Sequence, residues 1–571
     1  MEENNYSQND LKFIPSGKLL IQKKMRSTSP VRGVRESSNF SPPHSIDTND
    51  AHGFPMISTK AKMSPRHIIT ALKSVNLPKI GKNRQLASRV YRYKVGLTVI
   101  YYILQQFISK KALFIQILPG NNSRVLLQVL KHRSWWHAIL GPDEDTSVHS
   151  PNFIWEMHKN AKRYKENFYE NVLLNHLQRN DCLITKKGLY RCLKSYCLKE
   201  GIDLLKIIPR TFYLTSCEAH KDDDMQEFLD INENRLSCLI TSKSNNNEDE
   251  GSSKPVTPND IIWIMKPASR TNRGFGIKVV QGMSAVLEMV NKSSSRESTK
   301  RAGSGGSAGK KGKNRAVSSG KAAPGGAEKK APSPDQEDER YAKKAASQHG
   351  WIVQLYMDRP LLVSGRKFDI RCYVLVTHCA KKGLKGYFYQ DAYVRTSSKK
   401  YSLSKLADRE THLTNDAVQK HSKSYGKFEE GNKLDLVEWQ SSIRVDYPDA
   451  PEDVVSKKIF PEIKRISQLT VKAAAETLSD SDVQKSFELF GYDYMIDEQF
   501  NPVLIEVNTN PCLEFACPLL TNIITELIEN TIRVAVDSEF PPPSIGFRTK
   551  ACEEAIESIE SNPLKFEKFY P

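Results

Sequence analysis

Hydrophobic and polar positions divide the chain into an irregular start, two patterned regions and an interruption between them. Residues 1–75 are rich in Ser, Pro, Asn and basic side chains and lack a sustained apolar period, which is typical of disorder. Regular apolar runs begin at about residue 80 and continue to about 535. At 291–348, Gly, Ser, Ala and Lys replace nearly all large apolar residues, so we expect a flexible basic insertion there.

The first patterned region begins with a strand, a turn and a helix. ALFIQIL predicts a buried strand, PGNNS a turn and SRVLLQVLKHRSWW an amphipathic helix. NFYENVLLNHLQRND is predicted to continue the region as a helix, and the segment KKGLYRCLKSYCLKEG follows in the same region. We therefore expect an N-terminal α/β domain over 76–210, further domains over 211–355 and 356–540, and a short tail over 541–571.

A predicted β-hairpin carries two carboxylates. YDYMID predicts one strand, EQFN a four-residue turn and PVLIEVN the returning strand. If Asp497 faces Pro502 across the turn, Asp493 lies opposite Glu506, and like charges opposed on one sheet face repel each other. Asn508 lies on the same face as Glu506 and could add an amide oxygen to the carboxylate oxygens. A set of oxygen ligands suits Mg²⁺ that is shared with phosphates. The alternative is that a Lys, an Arg or solvent neutralises the carboxylates.

A glycine-containing loop follows Lys266 in WIMKPASRTNRGFGIKVV, residues 263–280. Backbone N–H groups of such a loop can approach a phosphate closely, and a lysine at its base adds positive charge. The GxxxxGK[ST] spacing of a Walker loop and its following helix are both missing. An ordinary hairpin turn explains the same letters, so this stretch alone decides nothing.

Ionisable residues alternate with apolar ones in GRKFDIRCYVLV, residues 365–376. Lys367, Asp369 and Arg371 fall on one strand face. The run GYFYQDAYVRT, residues 386–396, follows as a strand whose odd face ends at Arg395. This pattern predicts a polar cleft, although a solvated sheet face explains either strand by itself.

Composition narrows the class of partner. The formal net charge of +18 favours an anionic partner. The ten cysteines form no CxxC framework, which indicates reduced thiols rather than disulfides or zinc ligands. No stretch of about 20 apolar residues and no signal-peptide core occur, so we expect a soluble intracellular protein.

Taken together, these motifs resemble the tubulin tyrosine ligase-like family of ATP-grasp ligases. The resemblance covers about 150–535 and rests on Lys266, RGFGI, QLYMDRPLL, GRKFDIR, DAYVR, HLTN, FGYDYMID and LIEVN in that order. RSWW, NFIWEM, the run around Asn175 and His176, and IIPRTFYL also resemble the N-terminal half of the family. It implies an α/β (α+β) ATP-grasp fold, in which nucleotide lies between two antiparallel sheets of a central and a C-terminal domain.

The resemblance implies ATP and Mg²⁺ as cofactors and assigns their ligands motif by motif. The implied nucleotide-binding residues are Lys266, Arg273, Gly274, Gln354, Leu355, Tyr356, Met357, Lys367, Asp369, Thr414 and Asn415. Among them, the two lysines would contact phosphates and adenine-side groups, Arg273 and Gly274 would belong to a mobile phosphate loop, and Gln354–Met357 would form the hinge beside adenine.

The remaining implied site residues are metal ligands and catalytic cations. Asp493, Glu506 and Asn508 match the magnesium ligands of the family, in agreement with the hairpin. Arg371 and Arg395 would supply catalytic cations where negative charges converge, and Arg395 would hold the carboxylate of the incoming amino acid.

The chemistry implied by the resemblance is ATP-dependent amide ligation. An acceptor carboxylate attacks the γ-phosphate to give an acyl phosphate, and the amine of a free amino acid displaces the phosphate. We expect acidic tubulin tails as the acceptor, a monomer, cytoplasmic and cytoskeletal localisation at ciliary or basal-body microtubules, and neither nucleic acid nor membrane as a partner. Basic surfaces, including the 291–348 insertion, would attract such tails, although the insertion as a mere spacer is equally compatible.

The identity of the added amino acid stays open between glycine and glutamate. YQDAYVRTSSKKYSL is closer to the glycine-adding branch, and Asp416 and Ala417 replace the Tyr-Ser that glutamylases carry after HLTN. VNTNPCLEF, however, departs from the common VNxSP forms of the family. Two other classes remain as alternatives, a non-catalytic microtubule-binding member and an ATP-grasp enzyme for a small metabolite. The presence of all three metal-ligand positions favours the ligase.

Overall fold

The structure of the chain is a computed structural model. It describes residues 113–118, 123–140, 150–160, 164, 172–215, 224–234, 257, 259–268, 274–301, 349–543 and 548–571. All of them belong to the compact unit His52–Pro571. The predictions for residues 1–75 and for 302–348 of the insertion lie outside the described residues.

Strands and helices alternate in the first half of the described chain, and long strands dominate the second half. The strands are β1 Leu113–Ile117, β2 Trp136–Leu140, β3 Phe153–Trp155, β4 Leu173–Leu174, β5 Thr211–Leu214, β6 Ile262–Pro267, β7 Lys278–Gln281, β8 Trp351–Leu355, β9 Leu362–Val363, β10 Arg366–Cys379, β11 Gly383–Tyr389, β12 Tyr393–Lys400, β13 Lys433–Leu434, β14 Lys485–Ile496, β15 Pro502–Thr509 and β16 Phe566–Tyr570. The helices are α1 Ser123–Leu130, α2 Asp181–Ile184, α3 Lys186–Glu200, α4 Met225–Asn234, α5 Met283–Arg301, α6 Arg409–His412, α7 Asp416–Gln419, α8 Leu436–Asp446, α9 Phe460–Ser479, α10 Pro518–Thr531 and α11 Lys550–Ser561.

One large mixed sheet contains most of these strands. Its central path is β13-β12-β10-β14-β4-β3-β1-β2, and β9, β11, β15 and β16 pair at its sides. The N-terminal strands pair in parallel with one another, and β4 pairs in parallel with β14. The strands around β10 and β14 pair antiparallel. The strands of the predicted N-terminal domain therefore continue the C-terminal sheet rather than forming a sheet of their own.

A second sheet of four described strands, in the order β5-β8-β6-β7, is wholly antiparallel. One of its faces packs against α4 and α5 through a separate apolar cluster that includes Phe212, Phe228 and Trp263. The structure thus has the α/β fold with two sheets that the sequence predicts, and it matches the ATP-grasp arrangement.

Both faces of the large sheet are covered by helices. Even-numbered residues of β10 and β14 pack with α3 and α9, and odd-numbered residues of the same strands pack with α1 and α10. Burial on both faces explains why CYVLV within β10 is continuously apolar instead of alternating. Among the described residues, no helix is both long and apolar enough to cross a lipid bilayer.

Four expectations differ from the structure. The helix predicted from NFYENVLLNHLQRND is absent over residues 172–180, because Leu173 and Leu174 pair with neighbouring strands and turns follow; of the described part of this run, Asp181 alone is helical, as the first residue of α2. GYFYQDAYVRT forms parts of two strands, β11 and β12, with a break at residues 390–392. The expected tail contributes α11 and β16, which pairs with β11. The insertion expected to begin at 291 begins as helix, since α5 continues to Arg301.

Candidate active site

The hairpin of β14 and β15 places Asp493 opposite Glu506, as the sequence predicts. The predicted pairing at the turn is wrong, however, because Pro502 pairs with Ile496 rather than with Asp497. A register shift directly after Asp493 compensates for the difference. Such an extra residue is a β-bulge, and bulges are frequent beside active sites because they redirect a side chain.

Arginines neutralise Asp493, which was the alternative to a metal in the sequence analysis. Arg371 donates from Nε to Asp493 Oδ1 at 2.6 Å and from Nη2 to Oδ2 at 3.1 Å. Arg395 Nη2 lies 3.0 Å from Asp493 Oδ2. Burial alone would raise the pKa of Asp493, but the two guanidinium groups outweigh it and hold that pKa well below its usual range. This carboxylate is therefore ionised at physiological pH.

Asn508 joins the two carboxylates of the hairpin. Its Nδ2 donates to Asp493 Oδ2 at 3.1 Å and to Glu506 Oε1 at 3.2 Å. The structure thus brings all three predicted metal ligands together, with the amide nitrogen rather than the oxygen turned toward the carboxylates. In the described part of the chain no three His, Cys, Asp or Glu side chains form a metal cluster. Once the amide turns, two carboxylates and an amide oxygen form a donor set of the kind that Mg²⁺ prefers.

Arg395 is also bound to Asp369, its cross-strand neighbour. Arg395 Nε donates to Asp369 Oδ1 at 2.5 Å, and the hydroxyl of Thr414 donates to Asp369 Oδ2. Nε and Nη2 of Arg395 therefore both face carboxylates in this structure. A bidentate contact between Arg395 and an amino-acid carboxylate would therefore use Nη1 together with the second N–H of Nη2.

A cleft that is open to solvent lies between the small sheet, helices α2 and α3, and strand β15. Polar residues from all three elements line it, among them Lys186, Thr211, Lys266, Gln354, Glu506 and Asn508. The two-sheet cleft thus brings Lys266 and Gln354, predicted from different motifs, next to the carboxylate hairpin. This cleft is the candidate active site.

Lys186 and Thr211 are cleft residues that the sequence reasoning missed. Lys186 is the first residue of α3, and burial lowers its pKa while Glu506 acts in the opposite direction. A signal for Lys186 exists in the sequence, since a lysine in the first helical turn opposes the helix dipole. Thr211 offers no such signal, because a threonine that begins a strand is ordinary.

Lys266 contacts a neutral partner. Its Nζ donates to Gln354 Oε1 at 2.9 Å, and Gln354 Nε2 donates to Thr211 Oγ1 at 2.9 Å. Burial lowers the pKa of Lys266 to about 8, against the opposing effect of Glu506. This ammonium group is buried without a hydrogen-bonded carboxylate and would be stabilised by an anion in the cleft.

Lys367 also contacts a neutral partner, in this case a phenol. Its Nζ lies 3.1 Å from Tyr356 Oη, and that oxygen lies 2.8 Å from His412 Nδ1. Burial lowers the pKa of Lys367 to about 7, although the nearby Asp369 favours its charged form. His412 was not among the predicted site residues. Its position in the HLTN motif is the sequence signal that could have identified it.

Part of the predicted adenine hinge already forms backbone hydrogen bonds within the protein. The N–H groups of Leu355 and Tyr356 donate to the backbone oxygens of Arg210 at 2.8 Å and Ile262 at 3.0 Å. Contacts to adenine from this segment would therefore come from carbonyl oxygens or from Met357.

The end of the predicted phosphate loop lies against the HLTN segment. Gly274 has φ +74°, and a methyl group in place of its hydrogen would lie 3.4 Å from Asn415 Oδ1. Arg409 Nη2 donates to Gly274 O at 3.1 Å. The structure thus brings Gly274 to Asn415 and Thr414, whereas Arg273 lies outside the described residues.

Asp416, singled out in the sequence, forms an ion pair at the edge of the sheet. Its Oδ1 accepts from Lys433 Nζ at 2.7 Å and from Tyr425 Oη at 3.1 Å. Lys433 lies opposite Arg395 in the pairing of β13 with β12. The position that differs from the glutamylase pattern is therefore one strand away from the arginine cluster.

These two sheets and the cleft between them define an α/β protein of the ATP-grasp type. The sequence profile of the tubulin-tyrosine ligase family matches residues 162–544, and the chain belongs to that family. Among curated proteins it is 34% identical over 186 residues to a tubulin glycylase 3D of Tetrahymena thermophila, a match that covers 33% of this chain and 18% of that protein. It is 34% identical over 192 residues to a tubulin glycylase 3B of Drosophila melanogaster, covering 33% of this chain and 24% of that protein. The chain spans about a fifth of the length of the curated relatives it matches.

Proposed function

We propose that the protein is an ATP-dependent ligase that joins an amino acid to glutamate side chains of tubulin tails. The amino acid that we propose is glycine. The observation that carries the proposal is the cleft, in which Lys266 on the small sheet faces Lys186, Glu506 and Asn508 on the side of α3 and β15. Buried lysines with lowered pKa values stabilise nucleotide phosphates, and carboxylates close by can hold the accompanying metal. Family membership supports the same class of reaction.

The residues would divide the chemistry as follows. Lys266, Lys186 and Lys367 would bind phosphate or adenine-side groups, and Gly274 with Thr414 and Asn415 would close over the phosphates. Asp493, Glu506 and Asn508 would hold Mg²⁺, which supplies neutralisation of the phosphate charge when it is bound. Arg371 and Arg395 would stabilise the negative charge that develops as the acceptor carboxylate attacks the γ-phosphate and as the amine displaces phosphate from the acyl phosphate.

Glycine is the proposed amino acid for two reasons. Proteins named tubulin glycylases, from Tetrahymena thermophila and Drosophila melanogaster, are among the relatives that match this chain. The second reason is electrostatic: Asp416 binds Lys433, which pairs with Arg395 across β13 and β12, so the side-chain carboxylate of glutamate would meet a second carboxylate and a lysine that is already bound.

An acidic acceptor is supported by the surface that follows HLTN. Lys420, Lys423 and Lys427 are exposed in the loop that begins at the end of α7. Hydrogen bonds of Asn432 to Gly426 N and Thr396 O hold this loop against β12, next to Arg395. An acidic tail bound there would lose affinity as salt is added. Association of the protein with the microtubule cytoskeleton would follow from such binding.

The deciding experiment is incubation of the protein with tubulin, ATP, Mg²⁺ and either labelled glycine or labelled glutamate. We expect label from glycine to enter tubulin and to depend on ATP. Label from glutamate instead would overturn the amino-acid choice but not the ligase. If neither amino acid is incorporated while the protein still sediments with microtubules, the protein is a non-catalytic binder.

A further inference from the structure

A buried carboxylate, Glu488, lies behind the site on β14. It occupies the part of this strand between its two partners on one edge, since β4 pairs at Ser486 and β15 begins pairing at Phe490. The side chain is fully buried, and no part of the chemistry above uses it. A buried carboxylate is costly unless hydrogen bonds compensate its charge, so its partners indicate why it is there.

Donors from both neighbouring segments surround Glu488. From the segment after β4, the N–H of Leu177 and Nδ2 of Asn180 donate to Oε2 at 2.9 and 2.8 Å. His176 Nδ1 lies 2.8 Å from Oε1, and the hydroxyl of Thr509, the last residue of β15, donates to the same oxygen. Glu488 therefore joins the N-terminal strands to the end of the carboxylate hairpin.

The geometry makes His176 a cation. Its Nδ1 faces the Glu488 carboxylate, and its Nε2 lies 2.9 Å from the backbone oxygen of Glu156. Both partners only accept hydrogen bonds, so both ring nitrogens must carry a proton. Asn175 fixes the same backbone oxygen, to which its Nδ2 donates at 2.9 Å. The pKa of His176 is accordingly raised, because Glu488 outweighs the effect of burial.

Thr509 connects this ion pair to the catalytic cations. It follows Asn508 directly, and the chain then turns through Asn510, which has φ +44°, to Pro511. A methyl group on Gly491 would lie 3.0 Å from Pro511 Cβ and 3.4 Å from Arg371 Cδ. Pro511 and Arg371 therefore lie against the same point of β14, so displacement of Thr509 would disturb both Asn508 and the surroundings of Arg371.

We propose that Glu488 and His176 are positioning residues of the ligation site. Their buried ion pair holds the hydroxyl of Thr509 and thereby fixes residues 508–511 beside Arg371. The inference rests on the proposed function for its kinetic consequence, and on the structure alone for its effect on the loop.

The test uses Thr509, because Glu488→Gln removes a buried charge and can prevent folding. Thr509→Val removes only the donated hydroxyl, and Thr509→Ser restores it. We expect Thr509→Val to lower kcat for ligation between about tenfold and a hundredfold, because small misplacements of catalytic groups have effects of that size. KM for ATP should stay unchanged, Tm should fall only slightly because His176 still binds the same oxygen of Glu488, and Thr509→Ser should recover the rate. Thr525→Val, which removes an exposed hydroxyl bonded within α10, is the matched control.

Hydrogen exchange provides a readout that does not depend on activity. We expect the amides between 507 and 513 to exchange faster in Thr509→Val, while those of α9 keep their rates. Wild-type ligation by Thr509→Val, or unchanged exchange at 507–513, overturns the inference. If the wild-type protein ligates neither amino acid, the proposed function fails, and the exchange result then decides this inference by itself.

Discussion

The two sides of the candidate site treat positive charge in opposite ways. On the lysine side, Lys266 and Lys367 contact an amide and a phenol, and burial lowers both pKa values, to about 8 and about 7. On the arginine side, Arg371 and Arg395 are bound to Asp493, and their pKa values are held above the ordinary range despite burial, because carboxylates face them.

This difference shows what each side is prepared for. Buried ammonium groups that have neutral hydrogen-bond partners would be stabilised by a further negative charge, which a phosphate would supply under the proposed function. Arginines that already bind carboxylates form a fixed, nearly neutral framework, whose partners are costly to remove one at a time. The lysine side is thus suited to binding, and the arginine side to keeping charges in place during a reaction.

The largest effect is expected from Glu506, which lies between the two sides. Glu506→Gln should reduce ligation at least about a hundredfold, because the site loses a charge that metal binding requires. Folding should change little, since Glu506 is only partly buried and Asp493 keeps its arginines. Labelled amino-acid incorporation and Tm measure the two quantities.

The matched control is Glu498→Gln, which makes the same chemical change in the hairpin turn, where Glu498 binds Arg359. Full activity of Glu506→Gln, or equal loss of activity in both variants, would remove Glu506 from the metal site.

The comparison also predicts a difference in stability. Arg371→Met leaves the buried Asp493 with less compensation and should cost about 3 kcal/mol of unfolding free energy. Lys367→Met removes a buried cation that has a neutral partner and should change stability by less than about 1 kcal/mol. Urea unfolding of the two variants measures both values. Equal destabilisation would contradict the distinction between the two sides.

ATP binding should take up protons, since it favours the charged form of the lysines. With pKa values of about 7 and about 8, Lys367 and Lys266 are partly neutral in the unliganded protein near neutral pH. Phosphate raises both values, so binding draws protons from the buffer, and affinity falls as pH rises. Calorimetry in two buffers with different ionisation enthalpies measures the uptake. Lys367→Met should take up fewer protons; identical uptake would exclude Lys367.

The smallest effect concerns the pH dependence contributed by His176. Its pKa is raised above 6.5 by Glu488, with a smaller contribution from Glu156. The stability that His176 adds relative to His176→Gln is therefore complete below an unfolded-state pKa of about 6.5, and it is lost as pH rises through the folded-state pKa. Unfolding across this range measures it, with exposed His421→Gln as control. A difference independent of pH would mean that His176 is uncharged.

The sequence predicts the strands near the site well, because alternation and motif wording are local properties. The carboxylate pair was predicted by counting outward along both strands from an assumed pair at the turn. The prediction is correct only because a bulge compensates for the wrong pairing at the turn. The polar face of Lys367, Asp369 and Arg371 was likewise visible as a period of two. Local patterns therefore give the face of a strand more reliably than its register.

Long-range partners could not be predicted in the same way. The sequence NHLQRN contains no pattern that predicts the contact between His176 and Glu488, which lies more than 300 positions further along the chain. Leu173 and Leu174 form a strand only because β14 and β3 offer edges to pair with, which a helical period cannot reveal. The ion pairs that neutralise Asp493 also come from other strands.

The continuity of the large sheet restricts how the cleft can open. Strands β4 and β14 pair in parallel, Glu488 adds hydrogen bonds between the two segments, and α2 and α3 pack against the same sheet, to which β15 belongs. The four-stranded sheet contributes the opposite wall and has no strand in common with the large sheet. Any widening of the cleft would therefore move the small sheet relative to the large sheet, in which the carboxylate hairpin is paired.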